Sequence, residues 1–182
     1  PDWRRSVHEW RILLWEWLQK PTSAHLMNAS MLADLKPLAG NAALAEPLRR
    51  DYDEQGQSDP LVLARMAKNT LRFAVPLGWF GRIQPNTGEE DLLDLKKAGI
   101  FAITDGVRIL SIQHRALEGN TFKRIERLAA LGVLPQAEAA ELAAAFAFLT
   151  RLRLDAQLER LAAGEPARNA LPLRRLGRLQ RA

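Results

Sequence analysis

Proline and glycine cut the chain into pieces of helical length, and between the cuts apolar residues recur three and four positions apart. Segments of this kind fold as amphipathic helices, each burying one stripe, joined by short turns. The first is predicted to start at Asp2 as N-cap and to carry Trp3, Val7, Trp10, Leu14, Trp17 and Leu18 inward until Pro21 ends it. Its four tryptophans, Trp15 included, supply large area for core packing. A second starts at Thr22 or Ser23, turns Leu26, Ala29, Leu32 and Ala33 inward, and is closed by Pro37 and Gly40. Asn41 caps a third, with Leu44, Leu48 and Tyr52 on its apolar face, Pro47 marking a kink or late start and Gly56 the stop. Ser58-Asp59-Pro60 opens a fourth that runs to Phe73 before Pro76.

Periodicity fails between Pro76 and Gly99, where two short runs, 80–84 and 92–96, predict a small β-hairpin or an irregular loop near 77–98. A fifth helix places Ile103, Val107, Leu110 and Leu117 on one face. A sixth, capped by Asn120 or Thr121, places Phe122, Ile125, Leu128 and Leu131 inward before Gly132. Pro135 opens a long alanine-rich seventh that stops at Gly164, and a short basic helix follows from Leu173. The expected fold is all-α: an up-and-down bundle of about seven helices, with residues 1–163 as the domain and 164–182 as a basic tail.

With 182 residues, 47% of them hydrophobic, the chain can bury a core of its own. It has no cysteine, which excludes disulfides and a thiol nucleophile and favours a cytoplasmic setting. No apolar run reaches the roughly 20 residues needed to cross a bilayer. A first residue other than Met, with helical pattern close behind it, reads as a fragment of something longer. The net charge of +5 invites a nucleic-acid reading, but +4 of it lies beyond residue 163, where five arginines meet Glu165. The body is nearly neutral, so nucleic acid is disfavoured, and the tail is either a solvated face or a phosphate-binding arm.

No complete catalytic constellation is present. His8, His25 and His114 are far apart and form no metal-binding pair. Gly78 and Gly81 lack the remainder of a phosphate-loop pattern, and Asn28-Ala-Ser30 is a formal glycosylation sequon inside a predicted helix. Asp51-Tyr52-Asp53 has the spacing with which two carboxylates share magnesium, yet it falls near a helix end beside Arg49 and Arg50, where a charged helix terminus explains it. Polar residues embedded in apolar helices are more informative, because a charge near a core is either paired or functional. They gather at 28–40, around Asp34 and Lys36; at 93–103, around Asp94 and Lys96; at 148–153, around Arg151 and Arg153; and at Asn69 and Arg72.

These clusters carry a resemblance. N-A-S-x-x-x-D-L-[RK]-P-x-x-G at 28–40, N-x-L-R-F at 69–73, P-L-G-[FW]-F-G-R at 76–82, L-D-L-K-x-x-G at 93–99 and F-L-x-R-L-R at 148–153 resemble, in this order, the substrate-binding domain of nucleotidyltransferase-like proteins. In that family the domain is the helical C-terminal part of bacterial signalling proteins with CBS or cyclic-nucleotide-binding domains. Residues 94–103 are also similar to a stretch of glutamine synthetase adenylyltransferases and PII uridylyltransferases, although Ala98 replaces the first glycine and the stretch ends in Ala102 and Ile103 without its acidic residue. The resemblance implies a non-catalytic accessory domain beside an upstream catalytic domain, which would supply Mg and a nucleoside triphosphate. It implies Asp94 and Lys96, along with Asp34 and Lys36, as substrate-binding residues brought toward that domain's cleft, and guanidinium chemistry adds Arg72, Arg151 and Arg153 as phosphate candidates, facing a nucleotide or an acidic protein substrate. By residue chemistry alone the acid–base neighbours Asp34 with Lys36 and Asp94 with Lys96 could equally neutralise each other or bond a neighbouring cluster, and Arg72, Arg151 and Arg153 could cap helix carbonyls or pair with Asp105 and Asp155. A protein–protein interaction or homodimerisation module, using an apolar patch on the tryptophan helix or on the Gly78 to Gly81 loop, is the competing reading.

Overall fold

The computed structural model describes residues 3–58, 60–72, 76–79, 82–88 and 91–176. Among them are seven α-helices and one two-stranded antiparallel sheet, so the fold is mainly all-α. Asp2, Asp59, Phe73, Phe80 and Gly81 lie outside the described residues. The chain divides into two compact units, residues 1–70 with 105–134 and residues 71–104 with 135–182.

The first unit starts with α1 (Val7–Gln19), set in register by a capping box: the Glu9 amide donates to Ser6 Oγ, and the Ser6 amide donates to Glu9 Oε2 at 2.7 Å. Capping at Ser6 leaves Trp3 ahead of the helix, 63% exposed, and helical geometry turns Trp15 away from the Leu14–Trp17–Leu18 face, so it is 52% exposed. Of the four tryptophans expected in the core, Trp17 is buried and Trp10 packs partly against it. Thr22 caps α2 (Ser23–Leu32), which buries Leu26 and Ala29. Asn41 caps a single 3-10 turn, Ala42–Leu44, and α3 (Glu46–Ser58) begins after it with Pro47 in its first turn. Leu44 stays exposed in that turn, Leu48 and Tyr52 are buried, and the helix continues through Gly56. α4 (Pro60–Thr70) adds Val62 and Met66. α1 packs on α2 and α3, and both of these pack on α4. α5 (Phe101–Gln113), which starts in the second unit, brings Ile109 and Ile112 into the same core. Asn120 caps α6 (Thr121–Ala130), whose Ile125 and Leu128 are buried. Gly132, at φ 71°, takes the left-handed turn that ends it.

In the second unit, α7 (Gln136–Ala162) is followed by β2 (Ala170–Pro172), and β2 pairs antiparallel with β1 (Leu92–Asp94), Leu93 opposite Leu171. The strand expected at 92–96 therefore forms, but its partner is the tail and not the 80–84 run. That earlier run closes locally: Leu77 bridges Ile83, the Gly78 amide donates to Arg82 O at 2.7 Å and the Gln84 amide to Pro76 O at 2.8 Å. Its backbone groups are used before a second strand can reach them. Leu93, Leu95, Ile100, Ala156, Leu171 and Leu176 form the core, with Leu149 and Leu152 packed against it. The tail's predicted helix is one 3-10 turn, Leu173–Arg175.

Candidate functional site

The polar residues of the first unit converge on a single network. Ser30, on the buried side of α2, faces Asp105 and Arg108, one helical turn apart on α5. Ser30 Oγ donates to Asp105 Oδ1 at 2.5 Å, the Thr70 hydroxyl donates to Asp105 Oδ2, and Arg108 reaches Asp105 Oδ1 at 2.6 Å and Ser30 Oγ at 2.8 Å. The Asp105 carboxylate, 3% exposed, is thereby fully satisfied. Arg108 also donates through Nε and Nη2 to Asp34 Oδ2, at 3.1 and 2.8 Å, while Arg124 reaches Asp34 Oδ1 at 2.6 Å. Arg124 in turn donates twice to the Leu117 carbonyl, tying α6 to the loop before it. Burial works against the charge on Asp34, but Arg108 and Arg124 outweigh it and hold its carboxyl below the usual range. Of the alternatives left open by the sequence, Asp34 bonds this neighbouring cluster and not Lys36. Arg108 and Arg124 were not singled out from sequence. The signal available for Arg108 was an acid–base pair three apart on the apolar face of α5.

Beside the network is a cleft of about 610 Å³. Asp34 and Arg124 form part of its wall, and Lys36, Arg49, Arg50 and Arg115 bring cations to it, with Asp53 and Glu118 among its acids. Arg115 follows the last turn of α5 with φ 53°, a left-handed conformation that is uncommon for a long side chain. Tyr52 lies in the wall, and burial pushes its phenol pKa well up. Its hydroxyl is enclosed without a hydrogen-bond partner among the described residues. The Asp53 carboxyl is raised by burial, against the opposing influence of Arg49 and Arg115.

The Asp51-x-Asp53 pair does not act as a unit. It lies inside α3 and not at its end, and two positions along a helix separate the side chains by about 200°. Asp51 is held by Arg11, Nε to Oδ2 at 2.5 Å, while Asp53 faces the cleft. This donor set does not fit a shared magnesium ion. Among the described residues no three His, Asp or Glu side chains gather into a metal-ligating group.

The other sequence candidates belong to the second unit. Asp94 is the last residue of β1: its amide donates to Asn86 Oδ1 at 2.6 Å, its Oδ1 accepts from the Lys97 amide of the following turn at 3.1 Å, and Lys97 Nζ is 4.0 Å from Oδ2. Asp94 thus caps the turn and approaches Lys97, not Lys96. Lys96 is exposed and opens a π-helical turn, Lys96–Ile100, that leads into α5 and packs on α7. Gly99 makes that packing close, since a Cβ there would lie 2.7 Å from Leu149 Cδ1. Arg151 is 85% exposed and 3.8 Å from Asp155. Arg153 is half-buried on the same helix; its Nε and the Thr150 Oγ1 are enclosed with no hydrogen-bond partner among the described residues. Arg72 is exposed just past α4. No helix among the described residues is long and apolar enough to cross a membrane.

No curated protein and no solved structure matches the chain. A family model matches residues 60–182, a span that takes in all of the second unit and, from the first, α4 and the segment through α6. On that match, the chain belongs to the family described as putative nucleotidyltransferase substrate binding domain.

Proposed function

We propose that the chain is a non-catalytic accessory domain of a cytoplasmic nucleotidyltransferase-like signal-transduction protein of the PII uridylyltransferase type. In this reading the catalytic domain lies upstream and carries the Mg and nucleoside triphosphate chemistry, while this chain holds or regulates the substrate. The observation that carries it is the family match over the second unit, where the π-helical turn presents Lys96 beside the arginine-bearing α7. π-Turns recur at functional sites. Arg153, half-buried on α7 with an Nε that has no hydrogen-bond partner among the described residues, supports the reading, because a guanidinium gains from an oxyanion partner.

Steady-state kinetics of the full-length protein test the proposal. Lys96→Ala and Arg153→Met are expected to raise the KM for the acceptor by about tenfold or more, the loss of one charge-assisted hydrogen bond of about 1.5–3 kcal/mol. Unchanged kinetics with an intact fold would sink it. The competing reading, a dimerisation module, is favoured by Ile12 and Trp15, exposed three residues apart on α1. Under that reading light scattering reports a dimer that Trp15→Ala dissolves, with transfer kinetics of the Lys96 variant unaltered.

A further inference from the structure

We infer that α7 is a dimerisation helix: its outward face is self-complementary and pairs antiparallel, across a two-fold axis, with the same face of a second copy of this chain. The interface is separate from the apolar residues of α1, and it stands without the substrate reading, because Lys96 and Arg153 take no part in it.

The inward side of α7 carries Leu149 and Ala156 to the second core. Away from them, Ala144, Phe148, Arg151, Asp155, Leu158 and Ala162 follow one another at alternating steps of four and three, and all six are exposed. At 100° per residue they stay within a stripe about 80° wide. Alternating steps of four and three are the period at which two helices pack side by side. Alanine suits a solvated helix by propensity alone. Phe148 and Leu158, 45% and 54% exposed, do not, and Leu154 and Leu161 beside the stripe are each more than half exposed.

From either end the stripe has the same order: small, large apolar, charged, charged, large apolar, small. With residue 153 of two antiparallel copies on the axis, Ala144 lies opposite the partner's Ala162, Phe148 opposite the partner's Leu158, and Arg151 opposite the partner's Asp155. Two-fold symmetry makes each of these pairs occur twice. Parallel pairing in register would instead set arginine against arginine and aspartate against aspartate, and like charges face to face are costly. Within one chain Arg151 and Asp155 are 3.8 Å apart, too far for a hydrogen bond, so both keep bonding capacity for the second copy. The charges thus fix direction and register, while the apolar residues supply the area. The stripe is about 27 Å long. One helix from each copy makes a small interface, so a dissociation constant of about 10–100 µM is expected.

Sedimentation of the whole chain from about 1 to 500 µM tests the pairing. A monomer–dimer equilibrium is expected, weakened about tenfold or more by Leu158→Glu, by Arg151→Glu and by Asp155→Arg, all at exposed positions. Trp15→Ala leaves it unchanged. Arg151→Glu chains mixed with Asp155→Arg chains are expected to recover dimerisation, since opposite charges then meet at both pairs, and recovery also shows that both variants are folded. The chain has no cysteine, so introduced ones report direction. A short bis-maleimide should join Ala144→Cys chains to Ala162→Cys chains and neither variant to itself. The inference is overturned if the chain is monomeric at about 500 µM, or if mixing the two charge variants restores nothing. It is equally overturned if Trp15→Ala dissolves the dimer while the α7 variants do not, or if Ala144→Cys chains cross-link to one another as readily as to Ala162→Cys chains. None of these outcomes alters the kinetic test of Lys96→Ala.

Discussion

Asp34 is a carboxylate with two guanidinium neighbours, and its behaviour in acid follows from them. A carboxyl whose pKa is lowered on folding contributes stability that is fully present above its unfolded value, about 4, and is lost as pH falls through its folded value. Asp34→Asn removes that charge while Arg108 keeps Asp105 and Ser30. The variant should therefore be less stable by about 1–2 kcal/mol at pH 7, a figure reduced for the part of Asp34 that faces solvent. The difference should shrink as pH drops below about 4. Urea unfolding at pH 7 and pH 3 checks this, and a gap that is constant or wider in acid would show that Asp34 is not a charged partner. Sequence marked Asp34 as a polar residue among apolar ones, but not what it binds. Its bond to Arg108 spans 74 positions, and no local pattern encodes a contact of that separation. Arg115 was missed for a different reason: a backbone angle leaves no trace in the residue type when the residue is one that ordinarily avoids it.

At the level of elements, the ends were the legible part. Thr22 and Asn120 mark helix starts through side-chain hydrogen bonds three residues on, and Pro135 and Gly164 bound α7 through backbone angles suited to its two ends, so local chemistry suffices to read them. The partner of β1 was not legible, because a three-residue strand with Leu93 inward suits any apolar edge, and Leu171 lies in a tail whose arginines suggest solvent. The π-helical turn was also hidden, although Gly99 was its one sequence trace. Substituting alanine there sets two effects against each other. A helical glycine replaced by alanine gains up to about 1 kcal/mol in propensity, while a Cβ at 2.7 Å from Leu149 must push that side chain, and overpacking costs about 1–3 kcal/mol. The clash should win by about 1 kcal/mol, because Leu149 packs against the second core and has limited room to yield. A double-mutant cycle with Leu149→Ala measures this directly. Gly99→Ala should be destabilising in the parent background and neutral or stabilising once Leu149 is shortened; equal effects in both backgrounds would remove close packing as the role of Gly99.

On the scale of the molecule, the chain builds two cores, one around Leu14, Leu18, Ile109 and Ile112, the other around Leu93, Leu95, Ala156 and Leu171. α5 is the helix that contains one of the crossings between them, and Asp105 is its first residue in the first unit. Units with separate cores can open separately, and amide exchange resolves such openings. Asp105→Ala leaves Arg108 without its buried partner and Ser30 and Thr70 without their acceptor, which should cost the first unit about 3–5 kcal/mol. Hydrogen exchange on the whole chain should then show faster exchange through α1 to α4 and α6, while the β1–β2 amides and those of α7 keep their protection. If protection falls equally at Leu14 and Leu171, the two cores unfold as one. If it falls only in the first, they open separately. The chain crosses between the units at 70/71, 104/105 and 134/135, and the middle crossing lies within α5, whose first residues follow directly from the π-helical turn that carries Lys96.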